Sequence, residues 1–155
     1  MSKPLEDEKL RTVRDDFIER VSSIAQEEGF SRIAGRIFGY LLYEGGDHSF
    51  AELAEELEVS RGSISTNVRI LTERGVIERV GKPGDRQLWY RAGTDAHAAV
   101  LLNASRRAAR ARRSIEKTIR EMPRGPQRKR IKAYAAFYGA VEQGLLRMMD
   151  DIRED

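Results

Sequence analysis

The 155-residue sequence contains no cysteine, which excludes disulfide bonds, thiol redox sensing and thiolate metal sites. Its two histidines, His48 and His97, have no second ligand of suitable chemistry four residues away, so we expect no metal site and no cofactor. The sequence also lacks a nucleophile elbow, a phosphate loop and a dinucleotide fingerprint. These absences predict that the chain is not an enzyme and has no catalytic residues.

Long apolar runs are missing as well. The longest extends from about Ala98 to Leu102, far short of the roughly 18 residues that a membrane-spanning helix needs. The N-terminal residues are charged and do not resemble a signal peptide. We therefore expect a cytoplasmic protein with no membrane partner. With 40% hydrophobic and 34% charged residues, the chain is too apolar for general disorder.

Charge is unevenly distributed although the net charge is only +3. Residues 61–91 have seven basic and three acidic side chains, and residues 106–132 have twelve basic and two acidic ones. Acidic residues outnumber basic ones in residues 1–30, 50–59 and 133–155. Basic blocks can bind nucleic acid, but they can also pair with acidic segments. We expect Arg106–Arg113 to pair with the acidic first and last helices.

Apolar spacing and turn residues predict long helices with short joints. The first helix is predicted over about residues 6–27, with Leu10, Val13, Phe17, Val21 and Ile24 on one face. Ser31 is placed to cap a second helix that ends at the glycine pair 45–46, and Gly35 and Gly39 inside it favour close helix packing. Thr94 is placed to cap a long helix that ends near Met122, before a proline break. A last helix follows that break.

Residues 49–91 predict a short helix, a tight turn, a second helix and a β-hairpin. Ser49 and Glu52 form a capping-box pattern, Ser60 can cap the second helix, and Gly75 can end it in a left-handed conformation. Residues 76–80 and 87–91 are the two expected strands. This order is that of a winged helix-turn-helix, in which the second helix enters the DNA major groove.

The buried face of the second helix is assigned to Ile64, Val68 and Leu71, which leaves short polar groups and arginine for DNA. The predicted DNA-binding residues of this helix are Arg61, Gly62, Ser63, Ser65, Thr66, Asn67 and Arg69. Those of the wing are Lys82, Gly84 and Arg86, with Asp85 expected to brace an arginine.

The run from Leu53 to Val80, with Ser-Arg-Gly-Ser-Ile-Ser at residues 60–65, resembles the MarR superfamily of transcriptional regulators. The Gly-x-x-Gly-x-Arg wing at residues 81–86 makes it most similar to the GbsR-like branch. The resemblance implies a mainly α fold with a small β-hairpin, a winged helix-turn-helix with flanking dimerisation helices. The expected domains are an N-terminal dimerisation helix (1–30), a DNA-binding domain (31–92) and a C-terminal dimerisation region (93–155). The resemblance also implies a sequence-specific regulator of double-stranded DNA that is expected to be a repressor and can respond to a small-molecule effector. Two recognition helices that enter successive major grooves predict a pseudo-palindromic operator.

Apolar helix faces outside the DNA-binding domain independently predict a homodimer, because a small DNA-binding domain buries little apolar surface by itself. The last helix repeats apolar residues at spacings of four and three, as coiled coils do. The predicted interface residues are Leu10, Val13, Phe17, Ile115, Ile119, Tyr138, Val141, Leu145 and Met148. Two alternatives stay open: a winged-helix scaffold for protein assembly, and an architectural DNA-binding protein without an effector. The aromatic residues are assigned to packing in preference to a cage for a cationic ligand.

Overall fold

The computed structural model describes residues 3–154, which form six helices and a three-stranded antiparallel sheet. The chain divides into two compact units whose boundary falls between Ala96 and His97. The elements of the first unit are α1 (Lys3–Glu27), α2 (Arg32–Glu44), β1 (His48–Ser49), α3 (Phe50–Glu56), α4 (Arg61–Glu73), β2 (Ile77–Val80) and β3 (Trp89–Ala92). The helices α5 (Ala96–Glu121) and α6 (Pro126–Glu154) follow. None of the helices in residues 3–154 is long and apolar enough to cross a membrane.

The helices α1 and α2 pack closely through small residues. A Cβ atom added to Gly35 would lie 2.6 Å from the Ser22 Cα atom and 2.8 Å from the Ala25 Cβ atom. The Ser22 hydroxyl donates a hydrogen bond to the Arg32 carbonyl oxygen at 2.9 Å, which satisfies this buried polar group. Gly35 and Gly39 therefore serve close helix packing, as predicted.

The face of α1 that packs on α2 is not its most apolar face. Ile18, Ser22 and Ala25 are buried, whereas Leu10, Val13 and Ile24 are about half exposed, at 58%, 48% and 55%. Three of the five residues of the predicted seam are therefore exposed in the single chain, whereas Phe17 and Val21 are half-buried against α2. The small residues Ser22 and Ala25 face α2 because they let the backbones of the two helices approach closely.

The helix-turn-helix has the caps that the sequence predicted. Ser49 and Glu52 form a complete capping box at the start of α3, and the Ser60 hydroxyl accepts from the Ser63 N–H at the start of α4. Gly75 follows α4 with a φ of 74°, in the left-handed region. The inward side chains of α4, Ile64, Val68 and Leu71, are buried as expected, and Leu53 and Leu57 are buried as well.

The sheet contains one strand more than the predicted hairpin. The strands β2 and β3 pair antiparallel, with Val80 opposite Trp89, and β1 pairs with the other edge of β3. The Phe50 N–H extends this pairing by donating to the Leu88 carbonyl oxygen at 2.8 Å. The chain that enters α3 is therefore hydrogen-bonded to the start of β3, the central strand of the sheet.

Thr94 does not cap α5, contrary to the sequence prediction. Its backbone N–H and its hydroxyl both donate to the Glu78 carboxylate, at 3.0 and 2.8 Å, and α5 begins two residues later. Arg91 Nε donates to the same carboxylate at 3.0 Å. These bonds, led by that of the Thr94 N–H, lower the pKa of Glu78 to about 2.

The helices α5 and α6 are separated at residues 122–125, where the proline break was predicted. Arg112 on α5 reaches the Glu142 carboxylate on α6 at 3.2 Å and Glu116 at 3.2 Å. Ile119 is already buried in the single chain. The predicted seam of α6 is half-buried to exposed, with Met148 at 51% exposure, so most of its apolar side chains have no complete cover.

Candidate nucleic-acid interface

One face of α4 is exposed and carries small side chains. Gly62, Ser65, Thr66 and Arg69 are exposed, opposite the buried face described above, and a Cβ atom at Gly62 would meet nothing within 4 Å. The Thr66 hydroxyl donates to the Gly62 carbonyl oxygen at 3.1 Å and keeps a lone pair free to accept. Ser63 is half-buried at the edge of this face. Such a surface can approach another molecule to within hydrogen-bond distance.

Asn67 is not part of this exposed face, and its assignment to the DNA-binding set needs correction. It is buried at 7% exposure, and its amide nitrogen donates to the Ser63 carbonyl oxygen at 2.8 Å. Its amide oxygen accepts from the hydroxyl of Ser31, the residue that caps α2. Asn67 therefore joins α4 to the start of α2. It lies three positions after Ile64 and four before Leu71, so it shares their inward side.

Two arginines mark the ends of the exposed face of α4. The Arg61 guanidinium lies 5.3 Å from the centroid of the Phe50 ring, a cation–π contact that steadies it without using its hydrogen-bond donors. Arg69 lies 3.6 Å from Glu73, and both side chains are about two-thirds exposed. An exposed pair of this kind contributes little stability. Arg69 can therefore exchange Glu73 for another acceptor at low cost.

The wing turn is held by Asp85. Gly84 has a φ of 74°, and the Asp85 N–H donates to the Lys82 carbonyl oxygen at 3.0 Å, which closes the turn. The Asp85 carboxylate accepts from the Gln87 N–H at 2.8 Å and from Trp89 Nε1 at 2.9 Å. These bonds, mainly the one from the Gln87 N–H, lower the pKa of Asp85. The expectation that Asp85 braces an arginine was wrong, because the indole takes that place.

The two cations of the wing differ in their surroundings. Lys82 Nζ lies 3.8 Å from the Trp89 ring centroid and 3.8 Å from the Asp47 carboxylate, so Lys82 is engaged at the base of the wing. Arg86 is exposed and has no ion pair within the part of the chain that the structure describes. Arg86 is thus the wing cation that is available to an anionic partner.

An open groove lies between the start of α4 and the wing. Its volume is about 680 Å³, and Arg61, Ser65 and Arg86 lie along it. Two guanidinium groups and a hydroxyl suit phosphate oxygens, which arginine binds in pairs of parallel hydrogen bonds. Across residues 3–154, no group of three or more His, Asp or Glu side chains is arranged to hold a metal ion.

Comparison with known proteins shows what this region is similar to. Residues 28–88, which include the segment from α2 to the wing, match the model of the MarR family. The HTH-type transcriptional regulator MmpR5 of Mycobacterium tuberculosis (strain ATCC 25618 / H37Rv) is 39% identical over 85 residues, which are 54% of this chain and 52% of that protein. The chain thus spans about half the length of this curated relative.

A solved structure described as that of a transcriptional regulator is similar over most of the chain. It has 28% sequence identity and a TM-score of 0.76, and the match covers 92% of this chain and 99% of that one. The predicted fold class, mainly α with a winged helix and a small sheet, is therefore confirmed. The GbsR-like branch stays a prediction from the Ser-Arg-Gly-Ser-Ile-Ser stretch and the wing.

Proposed function

We propose that this chain is a DNA-binding transcriptional regulator of the MarR family that acts as a homodimer on a pseudo-palindromic operator. The observation that carries the proposal is the exposed face of α4 beside the unpaired wing cation Arg86. An α-helix fits the major groove, and a face of small polar groups can approach the base edges there. The matches to MmpR5 and to the MarR family model support the same function.

The residues divide by role within each protomer. Ser65, Thr66 and Arg69 are the proposed contacts to base edges, because they lie on the outer face of α4. Arg61 and Arg86 are proposed to bind phosphates from the two sides of the groove between α4 and the wing. Gly62, Ser63, Lys82 and Gly84 shape this surface, and Asn67 is left out because its amide is engaged in the core.

The homodimer is proposed from apolar surface that the single chain leaves uncovered. Leu10 and Val13 on α1, and Tyr134 and Met148 on α6, are each about half exposed. Exposed apolar patches of this kind mark protein interfaces, and a two-fold partner covers the same patch on both copies. Two copies of α4 would then enter successive major grooves about one helical turn apart.

Repression and the response to a small molecule are expectations that the family resemblance implies. In a repressor, operator binding lowers transcription of the adjacent genes, and a ligand that binds the free dimer better than the DNA-bound dimer releases the operator. A transcription assay with the flanking genes, with and without candidate metabolites, tests both expectations. Transcription that rises on addition of the protein alone contradicts repression.

The test of DNA binding is a titration of Arg69→Ala and Arg86→Ala on operator and random DNA at several salt concentrations. Arg69→Ala should narrow the affinity gap between the two DNAs, because a good bidentate base contact discriminates by about 1–3 kcal/mol. Arg86→Ala should weaken binding to both DNAs and reduce the salt slope by about one unit. Arg20→Ala, at an exposed site on α1 away from this surface, is the matched control.

Two results would contradict the proposal. If wild-type protein binds operator and random DNA with the same affinity and no salt dependence, the scaffold alternative is favoured. If both arginine variants retain wild-type operator affinity, the assignment of α4 and the wing to the DNA is wrong.

A further inference from the structure

A row of exposed cations follows one side of α5. Its members, which we call the α5 stripe, are Arg106, Arg110, Arg113, Lys117 and Arg120, and all five are exposed. Their spacings of four, three, four and three residues place them on one helix face. At 1.5 Å per residue, the α5 stripe is about 21 Å long.

Within residues 97–154, no carboxylate forms an ion pair with a residue of the α5 stripe. The ion pairs of segment 106–132 all belong to Arg112, which contacts Glu116 and Glu142. For the last helix, the expectation that Arg106–Arg113 pair with its acidic residues is therefore wrong for every arginine of that run except Arg112. The reason is geometric, because Arg112 lies on the side of α5 that meets Glu142, away from the α5 stripe.

The start of α6 adds further positive charge. Arg128, Lys129, Arg130 and Lys132 lie in its first two turns, and the first turn has no acidic residue. Cations at a helix N-terminus oppose the helix dipole, and like charges three or four residues apart repel one another. Both arrangements lower the stability of the helices. Residues placed at a cost to the fold are expected where a surface binds a partner.

We propose that the α5 stripe, together with the basic start of α6, is a second phosphate-binding surface that contacts the backbone of the bound DNA without reading its sequence. The inference rests on the proposed function of the winged helix. Four of the five stripe residues are arginine, whose planar guanidinium suits phosphate oxygens. Phosphate contacts add to affinity for any sequence and make binding depend on salt.

A membrane surface is the less suitable anionic partner. Helices that lie on membranes insert large apolar side chains beside their cations. The exposed large apolar residues of the described chain lie in other segments, such as Leu10 and Phe137, and none lies in residues 106–132. The basic surface thus has charge for phosphates but no side chains for insertion.

The test compares full-length wild-type protein with the triple variant Arg106→Gln, Arg110→Gln, Arg113→Gln. Affinity is measured on operator DNA with flanks and on random DNA of the same length, from low to physiological salt. The salt slope should fall by about 0.9 for each of these arginines that binds a phosphate. Affinity should fall by the same factor on both DNAs, so that the ratio between them is unchanged. The matched control is Arg11→Gln, Arg20→Gln, Arg147→Gln, which removes the same charge from exposed sites elsewhere.

Each outcome decides the proposal. A triple variant with the salt slope of the control overturns it, and if Arg86→Ala still weakens binding, the proposed function stands alone. Absence of DNA binding by the wild-type protein overturns both. Sedimentation with phosphatidylserine vesicles is measured in parallel, and vesicle binding lost in the triple variant with an unchanged DNA salt slope assigns the surface to membranes. Thermal unfolding and sedimentation of each variant verify that fold and assembly are retained.

Discussion

Gly35→Ala is expected to destabilise the protein although alanine is the better helix former. The added Cβ atom would lie 2.6 Å from the Ser22 Cα atom and 2.8 Å from the Ala25 Cβ atom. Carbon atoms in good contact are about 3.5–4.0 Å apart, so α1 must move away from α2 by about 1 Å. The nearest atom belongs to the backbone, and rotation of a side chain cannot relieve the contact.

The size of the effect follows from two opposing terms. Overpacking of a well-packed contact costs about 1–3 kcal/mol. Replacement of a helical glycine by alanine returns about 0.5–1 kcal/mol. Because the close contact is with backbone, we expect an overpacking cost of about 2–3 kcal/mol, which leaves a net loss of unfolding free energy of about 1–2.5 kcal/mol. For a chain of this size, the melting temperature should fall by roughly 2–10 °C.

The assay is urea and thermal unfolding followed by circular dichroism, with Gly62→Ala as the control. Gly62 is also helical, but its added Cβ atom would meet nothing within 4 Å, so this variant should be as stable as wild type or more stable. If Gly35→Ala is stabilised as much as Gly62→Ala, the close approach of α1 and α2 is refuted.

Three further predictions test the core, a buried phenol and the seam of α6. Asn67→Ala removes two hydrogen bonds and should cost about 1–3 kcal/mol of unfolding free energy in urea titrations while leaving the ratio of operator to random DNA affinity unchanged; a changed ratio would return Asn67 to the DNA contacts. Burial, aided by nearby carboxylates, raises the pKa of Tyr40 to about 12. The folded state thus holds a proton that the unfolded chain loses near pH 10, so stability falls as pH rises from about 10 to about 12. In Tyr40→Phe the free energy of unfolding should therefore fall less between about pH 10 and pH 12 than in wild type. An identical pH dependence in both proteins would contradict a raised pKa of Tyr40. Leu145→Asp places a charge in the proposed dimer seam and should shift sedimentation at micromolar concentration from about twice 17.6 kDa to the monomer mass, whereas a retained dimer would move the interface elsewhere.

Local chemistry made the helix boundaries predictable. The start of α3 follows from the reciprocal bonds of Ser49 and Glu52, which involve residues only three positions apart. The end of α4 follows from Gly75, whose left-handed φ is available to glycine without strain. The buried side of α4 follows from helical periodicity, which needs no knowledge of the partner surface.

Features set by distant residues were not predictable in this way. The strand β1 has only two residues and forms because β3 offers a free edge to it. Asn67 looked like an exposed polar group because its partner, Ser31, lies 36 positions earlier. Thr94 had the position of a cap, but the Glu78 carboxylate, 16 positions earlier, took its hydroxyl. Sequence periodicity describes one helix at a time and does not predict contacts between residues that are distant in the sequence.

The pairing of β1 with β3 has a consequence for the entropy of binding. The Phe50 N–H donates to the Leu88 carbonyl oxygen, so the first residue of α3 is fixed to the residue before β3, next to the wing, before any partner binds. A macromolecule that docks against α4 and the wing together meets backbone that is already hydrogen-bonded, including the wing turn that Asp85 holds. Fixing the backbone of each residue costs about 1–2 kcal/mol, so backbone that is ordered during folding leaves more of the contact energy as affinity. The distance between helix and wing is thus decided during folding, and a partner whose grooves do not match it gains little by bending the protein.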